Sequence, residues 1–115
     1  PAMARADRFG VIALAEASIL RHRRIMARMG VLDRLAGEIA LNMTVDESAR
    51  GHNTFAELVS TGNTLREKGA GVIILGCAGL AKHRGALEKE IGIPIIDPTQ
   101  AAVAMAFGSL VTATE

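Results

Sequence analysis

Apolar and polar positions alternate between two rhythms along this chain. Phe9 to Leu14 is a continuous apolar run with Gly10 inside it, too short for a helix, and reads as a buried strand. From Ser18 to Met29 the period changes. Ile19, Ile25, Met26 and Met29 fall on one helical stripe, and Arg21, Arg24 and Arg28 fall on another, so an amphipathic helix is predicted, ended by Gly30. Ile39 to Met43 reads as a shorter strand. Thr44-Val45-Asp46-Glu47 then has the Thr-x-x-Glu form of a capping box, which opens a helix predicted to run to about Lys68, with Phe55, Leu58, Val59 and Leu65 inward. Gly51 and Gly62 interrupt it, at a cost of about 1 kcal/mol each relative to alanine, which packing or function must offset.

Gly69-Ala70-Gly71 turns the chain into Val72 to Leu75, its most β-branched run. Ala78 to Ile91 follows as a helix with Leu80, Leu87 and Ile91 inward, closed by Gly92. Ile93 to Ile96 reads as a fourth strand, with Pro94 in its first turn or on an edge. Thr99 caps a last helix from Gln100 to about Val111. Four strand-helix units with apolar strands imply a parallel sheet covered on both faces and right-handed crossovers. The expected fold is one α/β domain, residues 1–115: a three-layer sandwich of flavodoxin-like form around a four-stranded parallel sheet of order 2-1-3-4. Ligands of such sheets sit outside the carboxyl ends of the strands at the switch point, here between strands one and three. The loops at that place are Ala15-Glu16-Ala17-Ser18 and Gly76-Cys77-Ala78-Gly79. The last helix, from Ala101 through Phe107 to Val111, has almost no polar face, which calls for a further domain or a partner subunit to cover it.

Composition narrows the function. A chain of 115 residues, half of them apolar, suffices for one domain burying roughly 65% of its unfolded surface. Thirteen basic residues nearly cancel twelve acidic ones, so no net field draws the protein to nucleic acid or membranes. Three Phe, with no Trp or Tyr, leave no stacking platform for single-stranded nucleic acid. A small-molecule substrate is the expected partner. The single cysteine excludes an internal disulfide, and no apolar stretch is long enough to span a membrane, so a reducing, cytoplasmic setting is expected.

Cys77 is the leading chemical candidate. A thiol at the first turn of a helix meets the positive end of the helix dipole and unpaired N–H groups, which favour the thiolate. Gly76 and Gly79 allow close approach to the backbone, and the N–H groups of Ala78 and Gly79 can bind a developing enolate or carboxylate oxygen. The competing reading is a small buried cysteine at a strand end. His22, His52 and His83 show no metal-ligand or triad spacing and read as structural or surface residues. Arg21-His22-Arg23-Arg24 reads as a solvated helix face, and Asn42-Met43-Thr44 as a chance glycosylation match. No phosphate-binding glycine motif is present, and no cofactor or metal is called for.

Gly76-Cys77-Ala78-Gly79-Leu80-Ala81, followed by Ile91-Gly92-Ile93-Pro94-Ile95-Ile96-Asp97-Pro98 and an alanine-rich segment, resembles the aspartate/glutamate/hydantoin racemase superfamily, most of all its hydantoin and allantoin racemases. Phe9-Gly10-Val11-Ile12 and Glu16-Ala17-Ser18 look like the start of that family's second lobe. The resemblance implies a cofactor-independent isomerase of two α/β lobes, each supplying one cysteine from opposite sides of a cleft. It assigns proton transfer to Cys77 and substrate contact to Ser18, and sets Asp97 to Thr99 where the last strand borders the same cleft; Gly76, Ala78 and Gly79 are expected substrate contacts through their backbone groups. It also implies that this chain is the second lobe, inactive by itself, with a missing first lobe and a homo-oligomeric assembly as partners. Two alternatives stay open: a single-thiol enzyme like the arylmalonate decarboxylases, and a non-catalytic domain whose Gly76–Gly79 turn only binds an anion.

Overall fold

A computed structural model of the chain describes residues 8–44, 46–47 and 53–97. Strand β1 (Phe9–Ala13) is followed by helix α1 (Ala17–Arg28), a 3-10 turn (Leu32–Arg34) and β2 (Leu35–Ala40). Helix α2 (Thr54–Glu67), β3 (Val72–Leu75), a 3-10 helix (Ala78–His83), α3 (Arg84–Ile91) and β4 (Ile95–Ile96) complete the described elements. The strands form one parallel sheet of order β2-β1-β3-β4, the order expected.

Alternation along β1 and β3 divides the core in two. Phe9, Val11, Val72 and Ile74 face α1 and pack with Met26. Ile12, Ile73 and Leu75 face the other way and pack with Leu58 and Leu65 of α2 and with Leu80, Leu87 and Ile91 around α3. Among the described residues, one helix therefore covers one face of the sheet and two cover the other. Leu65 lies over the paired glycines Gly10 and Gly37 of β1 and β2, at whose faces a Cβ would come within 3.1 and 3.3 Å of its side chain. Gly62 is kept free of a side chain for a similar reason, since a Cβ there would overlap Ile91 Cδ1 at 2.1 Å. The helix-propensity cost noted in the sequence is offset by this close contact between α2 and α3.

Several boundaries differ from the expected ones. Strand β2 spans Leu35–Ala40 rather than Ile39 to Met43. Glu38 interrupts the apolar pattern, but its side chain is buried, so the strand passes through it. The ladder still continues past the strand, from Leu41 N to Ala13 O at 2.9 Å and from Met43 N to Leu14 O at 3.2 Å. The capping box forms, with Glu47 N donating to Thr44 Oγ1 at 3.0 Å and Thr44 N donating to Glu47 Oε1 at 3.2 Å. Residues 46–47 are helical there, yet α2 itself begins at Thr54, and 48–52, with Gly51 and His52, lie outside the described residues. Strand β4 is limited to two residues because Pro94 has no N–H; its carbonyl accepts from Ile73 N at 3.0 Å, and the Ile95 N–H goes to Glu88 Oε1 at 2.9 Å.

On α1 the predicted inward stripe is only partly realised. Met26 is buried and Ile19 and Met29 are half-buried, but Ile25 is 47% exposed and Leu20, outside the stripe, 60% exposed. Among the described residues α1 is the one helix on that face, and it meets the sheet along the line through Met26 and Met29. Gly30 and Gly92 end their helices with φ of 73° and 83°, a region that favours glycine. Thr99 and the apolar segment after it lie outside the described residues. No helix among the described residues is long and apolar enough to cross a membrane.

Candidate functional site

Strands β1 and β3 are adjacent, and their crossovers leave in opposite directions, so their carboxyl ends form the switch point of the sheet. The loop after β1 carries Glu16 and Ser18. Ser18, half-buried at the mouth of α1, donates its N–H to Ala15 O at 3.0 Å, and its hydroxyl accepts from Arg21 Nη2 at 3.5 Å. Asn42, at the end of the β2 ladder, holds the same loop: it adopts φ 57° and its Oδ1 accepts from Glu16 N at 3.3 Å. The sequence marked Asn42 only as a chance glycosylation match; its work is to close this loop.

The loop after β3 carries Gly76, Cys77, Ala78 and Gly79. Gly76 N donates to Ile12 O at 2.8 Å, tying the end of β3 to the end of β1. Cys77 is half-buried and its side chain packs against the core on the α2 and α3 face. Asp97 follows β4 on the same edge of the sheet and is half-buried. Topology thus gathers Ser18, Gly76, Cys77, Ala78, Gly79 and Asp97 along one edge.

One local expectation is corrected. Cys77 does not open an α-helix; it precedes the six-residue 3-10 helix Ala78–His83, beginning with Leu80 N donating to Cys77 O at 3.0 Å, and α3 starts only at Arg84. The chain leaves the strand in extended conformation at Cys77, with φ −137° and ψ 129°, and the tighter 3-10 turn then brings Leu80 under the core. The aligned dipole of an α-helix begins only farther on, at Arg84.

Two histidines assigned to structure or surface have defined surroundings. His22 is not part of a solvated face with Arg21, Arg23 and Arg24: its Nδ1 lies 2.5 Å from Oε2 of Glu38, and the two side chains are 17% and 0% exposed. Glu38 Oε1 is buried without a hydrogen-bond partner among the described residues. Burial pushes the Glu38 carboxyl above its ordinary value of 4.5, opposed by the hydrogen bond and charge of His22 and by Arg23. A lone acidic residue in an otherwise apolar strand was the one signal in the sequence that could have marked this pair. His83 packs its ring 6.0 Å from that of Phe55. Burial, with Lys82 adding to it, lowers its pKa from 6.5. Among the described residues no cluster of three or more His, Cys, Asp or Glu is placed to hold a metal ion.

The Glu38 shift sets a pH dependence. A carboxyl whose folded-state pKa is raised binds its proton more tightly in the native state, so its contribution to stability is present below pH 4.5 and is lost as pH rises through the raised value. Glutamine copies the protonated form. Glu38→Gln is therefore expected to lose less stability than the parent as pH rises above 4.5, read as the difference between the two urea midpoints at each pH. An identical pH profile for the two proteins would contradict this.

The architecture and this edge define a class of α/β protein, and sequence comparison says which. The sequence model of the Asp/Glu/Hydantoin racemase family matches residues 1–106, and the chain belongs to that family. Within it, the likeness is to hydantoin and allantoin racemases. Two hydantoin racemases, from Pseudomonas sp. (strain NS671) and Rhizobium meliloti, are 48% and 50% identical over 42 and 40 residues, covering 36% and 35% of this chain and 17% of each relative. The allantoin racemase structures from Klebsiella pneumoniae and Pseudomonas fluorescens superpose with TM-scores of 0.77 and 0.79 at 25% and 27% identity, over 97% and 98% of this chain. The chain spans 46% and 48%, about half, of those two structures.

Proposed function

We propose that the chain is the second, cysteine-bearing lobe of a racemase or epimerase acting on a small carbonyl compound of the hydantoin or allantoin type, with Cys77 as one acid/base group. The observation that carries this reading is the position of Cys77, between two glycines at the carboxyl end of β3, in a chain of the racemase family. A stereocentre next to a carbonyl inverts through a planar enolate. Inversion needs a base on one face to remove the proton and an acid on the other to return one, each worth about 10²–10⁴-fold. The Cys77 Sγ serves one face. As thiolate it takes the α-proton, and the electron pair moves onto the carbonyl oxygen. In the reverse direction the thiol gives that proton back. The N–H groups of Ala78 and Gly79 are suited to the enolate oxygen, and Ser18 and Asp97 to the polar edge of the substrate.

The opposite face requires a second acid, which this reading assigns to a companion lobe carrying its own cysteine, in a homo-oligomeric, cytoplasmic enzyme. The 115 residues hold one cysteine, and that observation favours one other reading: a single-thiol enzyme that protonates an enediolate after decarboxylation. Both are tested by incubating the protein, joined to its companion lobe, with one enantiomer of a 5-substituted hydantoin in heavy water. The racemase reading expects α-deuterium in both enantiomers. Deuterium incorporation only with loss of carbon dioxide from an arylmalonate supports the decarboxylase. Neither reaction, with binding retained, leaves a ligand-binding domain and defeats the enzyme reading.

A further inference from the structure

The His22–Glu38 pair lies on the α1 face of the sheet, directly beneath the turn that carries Cys77. Glu38 stands opposite Val11 in the β1–β2 ladder. From there its carboxyl reaches His22 on α1, and the His22 ring reaches the end of β3. A Cβ on Gly76 would lie 3.1 Å from His22 Cε1, 3.0 Å from Ile12 O and 3.5 Å from Val11 Cγ1. The imidazole edge thus occupies the space a side chain at position 76 would need, and Gly76 rests on it. The next residue is Cys77, whose side chain turns to the opposite face of the sheet. The thiol and the imidazole meet through one glycine rather than by direct contact.

A part-buried imidazole against a buried carboxyl is an expensive way to fill this position. Apolar residues of the same volume would do so with neutral or better stability, while a buried carboxyl with one orphan oxygen carries a desolvation cost. What the pair supplies in exchange is direction. The hydrogen bond to Oε2 fixes the rotation of the imidazole about its own axis, which an aliphatic side chain has no means of doing, and so fixes the surface on which Gly76 sits. Three elements meet in this contact, β2 through Glu38, α1 through His22 and the end of β3 through Gly76, whose N–H is tied to Ile12 O of β1 at the switch point.

We propose that His22, oriented by Glu38, is a positioning residue for the Cys77 turn, holding Gly76 so that the thiol projects at a set angle from the end of β3. The consequence for catalysis rests on Cys77 being the reacting group, as proposed above; the consequence for the geometry of the thiol does not. Two readouts separate them. In the first, iodoacetamide alkylation of Cys77 is followed by mass spectrometry of the peptide that contains it, at a temperature where every variant is shown to be folded by circular dichroism. In the second, kcat and KM for α-deuterium exchange are measured on the protein joined to its companion lobe.

His22→Ala is expected to change the alkylation rate about threefold or more, and to lower kcat about tenfold or more with little change in KM, since misplacing a reacting group by about 1 Å costs this much or more. His22→Asn, which keeps a donor close to the place of Nδ1 for Glu38, is expected to return both the alkylation rate and kcat part of the way to the parent values. Glu38→Gln, which keeps a hydrogen-bonding group beside Nδ1, is expected to stay nearer the parent than His22→Ala. An alkylation rate and a kcat that are unchanged in His22→Ala, with only the unfolding midpoint lowered, would overturn the proposal and leave the pair as a stability element. If the parent protein shows no exchange, the racemase reading fails, and the alkylation contrast between parent and His22→Ala still decides the positioning role.

Discussion

Cys77→Ala is expected to abolish inversion in both directions while leaving one half of the exchange chemistry alive. In a two-face mechanism each enantiomer presents its α-proton to a different acid/base group. Removing Cys77 takes away proton abstraction from one enantiomer and proton return to the same face for the other. Racemisation should therefore fall by at least about 10²-fold from either starting enantiomer. The enantiomer that faces the companion group can still lose its proton to that group and recover solvent deuterium from it, with retention. Chiral chromatography combined with the NMR intensity of the α-proton reads both quantities on the same sample. Cys77→Ser should behave in the same way, because a hydroxyl without an adjacent base is a poor proton acceptor at neutral pH. Full racemisation by Cys77→Ala would remove Cys77 from the mechanism. Loss of exchange from both enantiomers, with binding intact, would instead favour a single-thiol enzyme. The side chain is half-buried at the rim of the core, so the substitution should disturb folding little and the kinetic reading should stand by itself.

The largest expected effect on stability is that of Leu65→Ala. Leu65 is fully buried and its side chain fills the hollow above Gly10 and Gly37, where β1 and β2 present two glycines side by side. Truncation leaves that hollow empty, because two strands without side chains have nothing with which to close it. The expected cost is about 2–5 kcal/mol, out of the roughly 5–15 kcal/mol that holds an ordinary domain together. Gly10→Ala errs in the other direction. Its Cβ would meet Leu65 Cβ and Cδ1 at 3.1 Å, pushing α2 off the sheet at a cost of about 1–3 kcal/mol. In the double variant the new methyl occupies part of the space the leucine has vacated. The combined loss should then be smaller than the sum of the single losses by about 0.5 kcal/mol or more. Urea unfolding of the four proteins measures this directly, and additive costs would show that Leu65 and Gly10 do not share a packing site.

Much of this architecture was legible in the order of residues, since the central strands are buried on both faces and the helices turn one face to the core, and burial leaves a period behind it. Phe9 to Ala13 and Val72 to Leu75 were readable because both faces of the central strands exclude water. Leu80, Leu87 and Ile91 were readable because the helix around them keeps one face to the core. The switch point followed from the strand order alone, and with it the loop holding Cys77. Edges were less readable. Among the described residues β2 and β4 have one neighbour each, and their limits depend on where pairing partners end, on Pro94 and on the burial of a glutamate.

The sequence by itself determined the parallel sheet, its order, and the place of the cysteine, because periodic burial and crossover geometry are properties of neighbouring residues and short connections. Only the tertiary structure decided that Cys77 enters a 3-10 turn, that Gly62 and Gly10 are kept bare by Ile91 and Leu65, and that His22 belongs to Glu38 rather than to the arginines beside it. Those outcomes depend on contacts between elements: His22 and Glu38 are 16 residues apart, and no period within either element records that a strand and a helix will bring them to 2.5 Å.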